Sequence, residues 1–144
     1  MTGPEPPGPG QTLFRFVRHW SRRWTATGEA AGSVRGRDVM AVEAVSTRAP
    51  AAASVRDVAE HLGLDHSGAS RLVAEAVGRG LLADTAARGD RRQRRVVVTA
   101  AGEHLVEAAH RWQEEVFGRL TQDWHPEEVR HFHRLMARLI DGGS

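Results

Sequence analysis

The feature that most constrains the fold is a pair of short helical patterns joined by a tight turn, within residues 54–80. Ser54 and Asp57 are three residues apart, which is the spacing of a capping box at the start of a helix. The helix that begins after Ser54 is predicted to end at Leu62, because Gly63 supplies a C-terminal stop.

The second helix is predicted from near Ser67 to Arg79, with Gly80 at its C-terminal end. Its apolar positions recur at helical spacing and predict an inward stripe: Ala69, Leu72, Val73, Ala76 and Val77. The remaining positions are expected to face outward: His66, Ser67, Gly68, Ser70, Arg71, Ala74 and Glu75. Two short helices separated by a tight turn are the outline of a helix-turn-helix.

A β-hairpin is predicted next, from short strands at 81–83 and 95–99 and a polar loop between them. From Arg88 to Arg95, five arginines face one acid, Asp90, which gives a local charge of 5 − 1 = +4 in eight residues. Such a cationic segment is a candidate phosphate contact, and a solvated basic loop is its alternative explanation. Helix, turn, helix and hairpin together predict a winged helix-turn-helix.

Helical patterns also flank this segment, so the predicted fold class is mainly α with a small β-hairpin wing (α+β). Residues 1–10 hold four prolines and three glycines and are expected to be a disordered tail. Residues 11–144 are expected to form a single domain, with the winged helix-turn-helix at about 35–99 and dimerisation helices at about 11–28 and 100–141. The helix at 35–47 is predicted to bury Val39, Met40, Val42 and Val45.

Composition and motif content exclude several function classes. The chain has no cysteine, which excludes disulfides, thiolate catalysis and cysteine-ligated zinc. It shows no phosphate loop, nucleophile elbow or HExxH motif, so we expect no enzyme and no cofactor. No apolar run is long enough to span a membrane and no signal sequence is evident, which predicts a cytoplasmic protein without membrane contact.

Eight histidines invite a metal hypothesis, but their spacing does not favour it. His104 and His110 are six residues apart, and His131 and His133 are two apart, spacings that put the side chains on different sides of a helix. No metal site is therefore predicted, although ligands assembled between helices remain an open alternative.

The segment SVRDVAEHLGLDHSGASRLVAEAVGRGLLADTAARGDRRQRRVVVTAAG resembles the MarR-type bacterial transcription regulators. The wing carries the most specific part of the resemblance. Members commonly have Asp-x-Arg, then a strand of alternating apolar residues that ends in Leu-Thr or a close variant, then a glycine three residues later. The residues of this chain at those spacings are Asp90, Arg92, Val96, Val98, Thr99 and Gly102. The similarity extends from Leu13 to Ile140. Two positions depart from the family's habit, since Arg88 stands where similar wings often have proline and Gly68 replaces a common hydroxyl residue.

The resemblance and the physics of DNA grooves both predict a DNA interface. The N-terminal end of the second helix brings Ser67, Ser70 and Arg71 to the major groove. Arg71 can bind the O6 and N7 atoms of guanine together, whereas pairing with Glu75 is its alternative role. Ser67 is expected on the phosphate backbone. The predicted interface on this helix comprises Ser67, Gly68, Ser70, Arg71 and Glu75.

The wing is expected to supply the second half of that interface. Arg92 is predicted to enter the minor groove, where a narrow groove deepens the negative potential. Similar proteins suggest that Asp90 orients a neighbouring arginine through a charge-assisted pair. The predicted wing contacts are Arg88, Asp90, Arg91, Arg92, Arg94 and Arg95. Of these, Arg91, Arg94 and Arg95 are expected on phosphate or sugar.

The predicted function is a sequence-specific regulator of transcription that binds double-stranded DNA as a homodimer, repressor activity being what the resemblance implies. A two-fold dimer implies a pseudo-palindromic operator with half-site centres about 10 bp apart. Similar proteins hold a ligand crevice beside the first helix, where Trp20 and Trp24 are candidates for binding a small aromatic or anionic effector. Core or dimer packing is the alternative role for both tryptophans. The alternative function is a winged-helix architectural or protein-interaction module without operator specificity.

Overall fold

The computed structural model describes residues 6–23, 32–85 and 94–143, which are mainly helical with one small antiparallel sheet. The elements in chain order are α1 (Pro9–Arg23), α2 (Gly32–Ser46), β1 (Ala53–Ser54), α3 (Val55–Leu62), α4 (His66–Gly78), β2 (Leu82–Asp84), β3 (Arg95–Val98), α5 (Ala100–Leu120) and α6 (Pro126–Asp141). The predicted fold class is therefore confirmed.

Two compact units make up the chain, Met1–Val106 and Glu107–Ser144, and α5 runs through the boundary between them. The expected single domain over residues 11–144 stays a prediction. α1 begins at Pro9, two residues before the predicted start, because proline is tolerated in the first turn of a helix. No helix among residues 6–23, 32–85 and 94–143 is long and apolar enough to cross a membrane.

α3 has the bounds and the caps that the sequence predicts. The Ser54 side chain accepts a hydrogen bond from the Asp57 backbone N–H at 3.1 Å, and the Asp57 carboxylate accepts one from the Ser54 N–H at 2.8 Å. Gly63 ends the helix with φ 65°, a left-handed conformation that glycine adopts without strain. These local signals fix the entry and exit of the first helix of the helix-turn-helix.

α4 begins at His66, one residue before the predicted start, because Asp65 and not a later residue is its N-cap. The predicted inward stripe is confirmed at Ala69, Leu72, Val73 and Ala76, which are buried, while Val77 is partly buried. These side chains pack with α2 and α3 in the core of the first unit. The opposite side of α4 is left to solvent.

β3 is the central strand of the sheet, with order β1-β3-β2 and both pairs antiparallel. The β2–β3 hairpin is the predicted one, and Leu82 lies opposite Val98 in its register. β1 is an addition that the sequence does not predict, because two residues carry no readable alternation. Ala53 lies opposite Val96, so the segment before α3 is paired with the wing.

α2 buries three of the four residues that its apolar pattern predicts. Val39, Val42 and Val45 are buried as expected, but Met40 is 42% exposed and that expectation is wrong. Ala41 and Ala44 are buried in its place. Small side chains allow neighbouring helices to approach closely, so the two alanines pack in the core beside the valines and Met40 stays outside it.

In the second unit, three aromatic rings pack around the turn between α5 and α6. Phe117 and Phe132 stack with centroids 6.3 Å apart, and Trp124 meets Phe132 edge-on at 5.4 Å. The Thr121 hydroxyl donates to the Phe117 carbonyl oxygen at 2.9 Å, which satisfies this buried polar group. α6 leaves several apolar side chains exposed: Phe132, Leu135, Leu139 and Ile140.

Candidate nucleic-acid interface

The outward side of α4 presents the residues that the sequence assigns to DNA. Ser67, Arg71 and Glu75 are exposed, and Gly68 and Ser70 are partly buried. Because successive turns of an α-helix stack residues three and four apart, Ser67, Arg71 and Glu75 follow one another along one side. The structure thus brings these three predicted contacts together on one helix surface.

Asp65 caps α4 and depends on the glycine three residues later. Its carboxylate accepts a hydrogen bond from the Gly68 N–H at 2.9 Å, as aspartate does at a favourable N-cap. A Cβ atom on residue 68 would lie 2.6 Å from Asp65 Oδ1, so any side chain there must push the carboxylate aside. Glycine at position 68, where similar proteins often have a hydroxyl residue, therefore leaves room for the Asp65 carboxylate to cap the helix.

Arg71 makes no ion pair with any other residue that the structure describes. Its alternative partner, Glu75, instead accepts from Arg37 Nη2 of α2 at 3.5 Å and lies 3.6 Å from Arg79 Nη2. In this structure Glu75 is thus paired with Arg37 and Arg79, and the role of Arg71 stays a prediction. No carboxylate among the described residues pairs with the Arg71 guanidinium, which has five N–H donors.

Asp38 and Arg79 form a partly buried ion pair that ties α2 to the end of α4. Arg79 Nε lies 2.9 Å from Asp38 Oδ2 and 3.1 Å from Oδ1, and the Asp38 side chain is only 6% exposed. The bond to Asp38 raises the pKa of Arg79. A buried carboxylate needs such a partner because its isolated charge is costly away from water.

Asp84 and Arg94 pair at the base of the wing. Arg94 Nε lies 2.6 Å from Asp84 Oδ1, and Arg94 Nη2 lies 3.0 Å from Oδ2, which is the two-pronged geometry that guanidinium and carboxylate favour. The hydrogen bonds from Arg94 hold the pKa of the Asp84 carboxyl below its usual value. Arg94 therefore braces the hairpin, and its contact with phosphate stays a prediction.

Arg95 is the exposed arginine at the start of β3. Its Nη1 donates to the Ala52 carbonyl oxygen at 3.3 Å, and its charge faces no carboxylate among the residues described. The other predicted wing contacts lie outside the described residues: Arg88, Asp90, Arg91 and Arg92. The described part of the wing thus offers Arg95 as its cation without an acidic partner.

Trp20 is the described member of the predicted effector pair, and Trp24 lies outside the described residues. The Trp20 ring is partly buried, with the Phe16 ring 6.3 Å and the His19 ring 5.6 Å from it. These neighbours are on α1 itself. A ligand role for either tryptophan stays a prediction.

Within residues 6–23, 32–85 and 94–143, the structure holds no group of three histidine, aspartate or glutamate side chains that could bind a metal ion.

The sequence pattern did not indicate three functionally placed residues: Asp65, Asp84 and Arg37. Asp65 had a usable signal, because aspartate before a helix is a strong N-cap. Asp84 and Arg37 had none, since their partners are 10 and 38 residues away in the chain.

Comparison with known proteins finds the MarR family. A model of this family matches residues 34–93, which run from α2 into the wing. No curated protein matches the chain.

Solved structures share the fold over almost the whole chain. A mutant of MepR from a multidrug-resistant S. aureus clinical isolate is 16% identical with a TM-score of 0.69, and 95% of this chain and 99% of that one are covered. Another MepR mutant, bound to an oligodeoxyribonucleotide, is 16% identical with a TM-score of 0.60, covering 96% and 100%.

Two further structures extend the comparison. PcaV, a transcriptional regulator from Streptomyces coelicolor in complex with its natural ligand, is 18% identical with a TM-score of 0.64 and complete coverage of both chains. A MarR-family transcriptional regulator from Rhodococcus sp. RHA1 is 20% identical with a TM-score of 0.65, covering 92% and 94%. The predicted resemblance is confirmed: residues 34–93 match the MarR family, and the chain has the winged-helix fold of MarR-family transcription regulators.

Proposed function

We propose that this protein is a sequence-specific regulator of transcription that binds double-stranded DNA as a homodimer, at a pseudo-palindromic operator. Repression is the proposed direction of control. The observation that carries the proposal is the outward side of α4, where Arg71 is exposed and has no ion-pair partner among the described residues. The MepR mutant bound to an oligodeoxyribonucleotide supports it by fold.

The dimensions of α4 suit the major groove. Its 13 residues make a helix about 20 Å long at 1.5 Å per residue. The groove of B-DNA admits one α-helix, and the N-terminal residues of a recognition helix reach the base edges. Arg71 lies in the second turn of α4, where its two-pronged guanidinium can read a guanine.

Phosphate contacts are expected from both sides of this helix. Asp65 already places a carboxylate at the N-terminus of α4 and takes up the Gly68 N–H. The Ser67 hydroxyl is the side-chain group that we propose for a phosphate at this helix end, beside the first-turn N–H groups that Asp65 does not take up. The negative charge of Asp65 offsets part of the helix dipole there. On the wing, Arg95 carries a charge without an acidic partner among the described residues.

A homodimer is expected because each unit exposes an apolar helix surface. In the first unit, α1 exposes Leu13, Phe14, Phe16 and Val17, with Phe14 63% exposed. In the second unit, Leu139 and Ile140 of α6 are 60% and 73% exposed. Contiguous exposed apolar surface normally marks an interface, and two-fold symmetry is the commonest way for two copies to cover it.

The deciding experiment measures binding of a fluorescent duplex from the DNA immediately upstream of the protein's own gene, against a scrambled duplex of equal composition. We expect the upstream duplex to bind at least about 1,000-fold more tightly, as specific sites do. Arg71→Ala is expected to reduce this ratio, whereas Arg119→Ala, which removes an equal charge from α5, is expected to leave it unchanged. Equal affinity for both duplexes would favour the architectural module.

We also propose that the protein binds a small aromatic or anionic effector, with Trp20 as a candidate contact. PcaV in complex with its natural ligand supports ligand binding by fold only. A thermal-shift screen of small aromatic acids is expected to raise the melting temperature of the wild type for at least one compound. The Trp20→Leu variant is expected to lose that response, and an unchanged response would assign Trp20 to packing.

A further inference from the structure

Four charged side chains form an alternating network, two on α2, one on α4 and one at the C-cap of α4. Arg37 and Asp38 are neighbours on α2, and Glu75 and Arg79 are one turn apart at the end of α4. The contacts run in the order Arg37, Glu75, Arg79, Asp38, with separations of 3.5, 3.6 and 2.9 Å. Two cations and two anions give the network no net charge.

Asp38 anchors this network. Because its side chain is 6% exposed and both its oxygens accept from Arg79 Nε, the Arg79 guanidinium is held in one place. Arg79 Nη2 therefore presents a fixed positive edge to Glu75, and Arg37 closes on the same Glu75 oxygen. Linked charges of this kind hold their geometry better than an isolated surface pair.

Glu75 is the carboxylate that this network neutralises, and it is the only acidic residue of α4. It lies one helical turn beyond Arg71 on the same side of the helix. Its side chain remains 42% exposed, so an unneutralised carboxylate there would face any phosphate backbone that α4 approaches. Like charges in that arrangement repel and lower affinity.

We propose that Arg37 is a positioning residue for DNA binding that acts through Glu75. It holds the Glu75 carboxylate against α2 and neutralises it, which lets α4 approach the phosphate backbone. Arg79 cannot neutralise it alone, because its single positive charge faces two carboxylates, Asp38 through Nε and Glu75 through Nη2. The inference rests on the proposed DNA-binding function and adds a residue of α2 to the determinants of affinity.

A double-mutant cycle tests the inference. Affinity is measured for wild type, Arg37→Gln, Glu75→Gln and the double variant, on both the upstream and the scrambled duplex. Arg37→Gln is expected to weaken binding about three- to ten-fold on both duplexes, since the effect is electrostatic and independent of sequence. In the Glu75→Gln background the same change is expected to weaken binding less than about two-fold, and Arg37→Lys is expected to bind like wild type.

Arg56→Gln is the control, because it removes the same charge from another exposed ion pair, Arg56 with Glu60 one turn later on α3, at 3.0 Å. Any weakening that it causes is expected to be equal in both Glu75 backgrounds. An equal weakening by Arg37→Gln in both backgrounds would show that Arg37 touches DNA directly and would overturn the inference. Unchanged binding by Arg37→Gln would also overturn it. A wild type that binds neither duplex would overturn the proposed function, and this inference with it.

Discussion

Gly102 lies so close to the backbone carbonyl of Leu81 that a side chain at this position would overlap the carbonyl oxygen. A Cβ atom added to Gly102 would also lie only 3.0 Å from Val98 Cγ1. Thr99 holds the approach in place, because its hydroxyl donates to the Gly80 carbonyl oxygen at 2.6 Å and accepts from the Gly102 N–H at 3.1 Å. Gly102 thus allows the first turn of α5 to pack directly against the backbone of the turn that follows α4, at Gly80 and Leu81.

Gly102→Ala is therefore expected to destabilise the protein by about 1–3 kcal/mol, the usual cost of forcing extra volume into a packed site. Gly118→Ala is the matched control in the same helix, since nothing lies within 4 Å of a Cβ there. That change is expected to stabilise by about 0.5–1 kcal/mol through helix propensity. Urea unfolding measures both. Equal free-energy changes for the two variants would contradict the close approach.

Asp57 is expected to make stability fall in acid. Hydrogen bonds from Arg48, from the Ser54 backbone N–H and from the Ser54 hydroxyl lower the pKa of Asp57 well below its usual value. A carboxyl whose folded pKa is lowered adds stability above its unfolded pKa of about 3.9 and loses it as pH falls further. Asp57→Asn is therefore expected to differ most from wild type at neutral pH, by about 1 kcal/mol.

The measurement for Asp57 is the free energy of unfolding from about pH 7 to about pH 3. The difference between wild type and Asp57→Asn is expected to shrink below about pH 4, as the wild-type carboxylate is protonated. Arg48→Gln removes the largest cause of the shift and is expected to flatten the same pH dependence in part. A difference that stayed constant over this range would show that Asp57 contributes by packing.

The cap of α4 is expected to depend on the absence of a side chain at residue 68. Asp65→Ala is expected to cost about 0.5–2 kcal/mol of stability, the usual effect of removing an N-cap. In a Gly68→Ala background its cost is expected to be smaller, because the added Cβ already displaces the carboxylate. Thermal unfolding of the four proteins gives the coupling. Strict additivity would mean that the carboxylate finds another position with an equal hydrogen bond.

The exposed apolar surface of α6 is expected to hold the homodimer. Leu139→Asp puts a charge on that surface and is expected to shift the protein from dimer to monomer in light scattering at micromolar concentration. Ala137→Asp places the same charge two residues away, on a different side of the helix. This control is expected to remain dimeric. A wild type that is a folded monomer at this concentration would remove the dimer from the proposal.

Arg71 and Arg95 are expected to respond differently to salt and sequence. Arg71→Ala is expected to cost about 1–3 kcal/mol on the preferred operator and to relax preference at one base in each half-site. Arg95→Ala is expected to weaken all sequences alike and to lower the salt slope by about one for each phosphate that the arginine neutralises. Binding titrations at several salt concentrations separate the two. Identical behaviour of both variants would make Arg71 a phosphate contact.

The helix-turn-helix was predictable because its signals are local. Ser54 and Asp57 cap α3, Gly63 ends it, and the structure agrees with each of these assignments. The buried side of α4 was predictable for a similar reason, since its apolar residues recur at helical spacing.

The rest depends on partners distant in the chain. The expected burial of Met40 is wrong because α2 buries alanines that fit against neighbouring helices, and an apolar pattern does not show which side those neighbours occupy. The Asp84–Arg94 pair exists only once β2 and β3 have their register. The contact of Arg37 with Glu75 likewise requires the packed arrangement of α2 against α4.

The two-residue strand β1 has a consequence for the entropy of binding. It pairs with β3 through Ala53 and Val96 and ends at Ser54, the residue that caps α3. The described base of the wing and the helix-turn-helix are therefore joined through this strand. In the proposed DNA complex, this connection is expected to leave less conformational freedom to be given up when the duplex binds, which would raise affinity without any additional interaction.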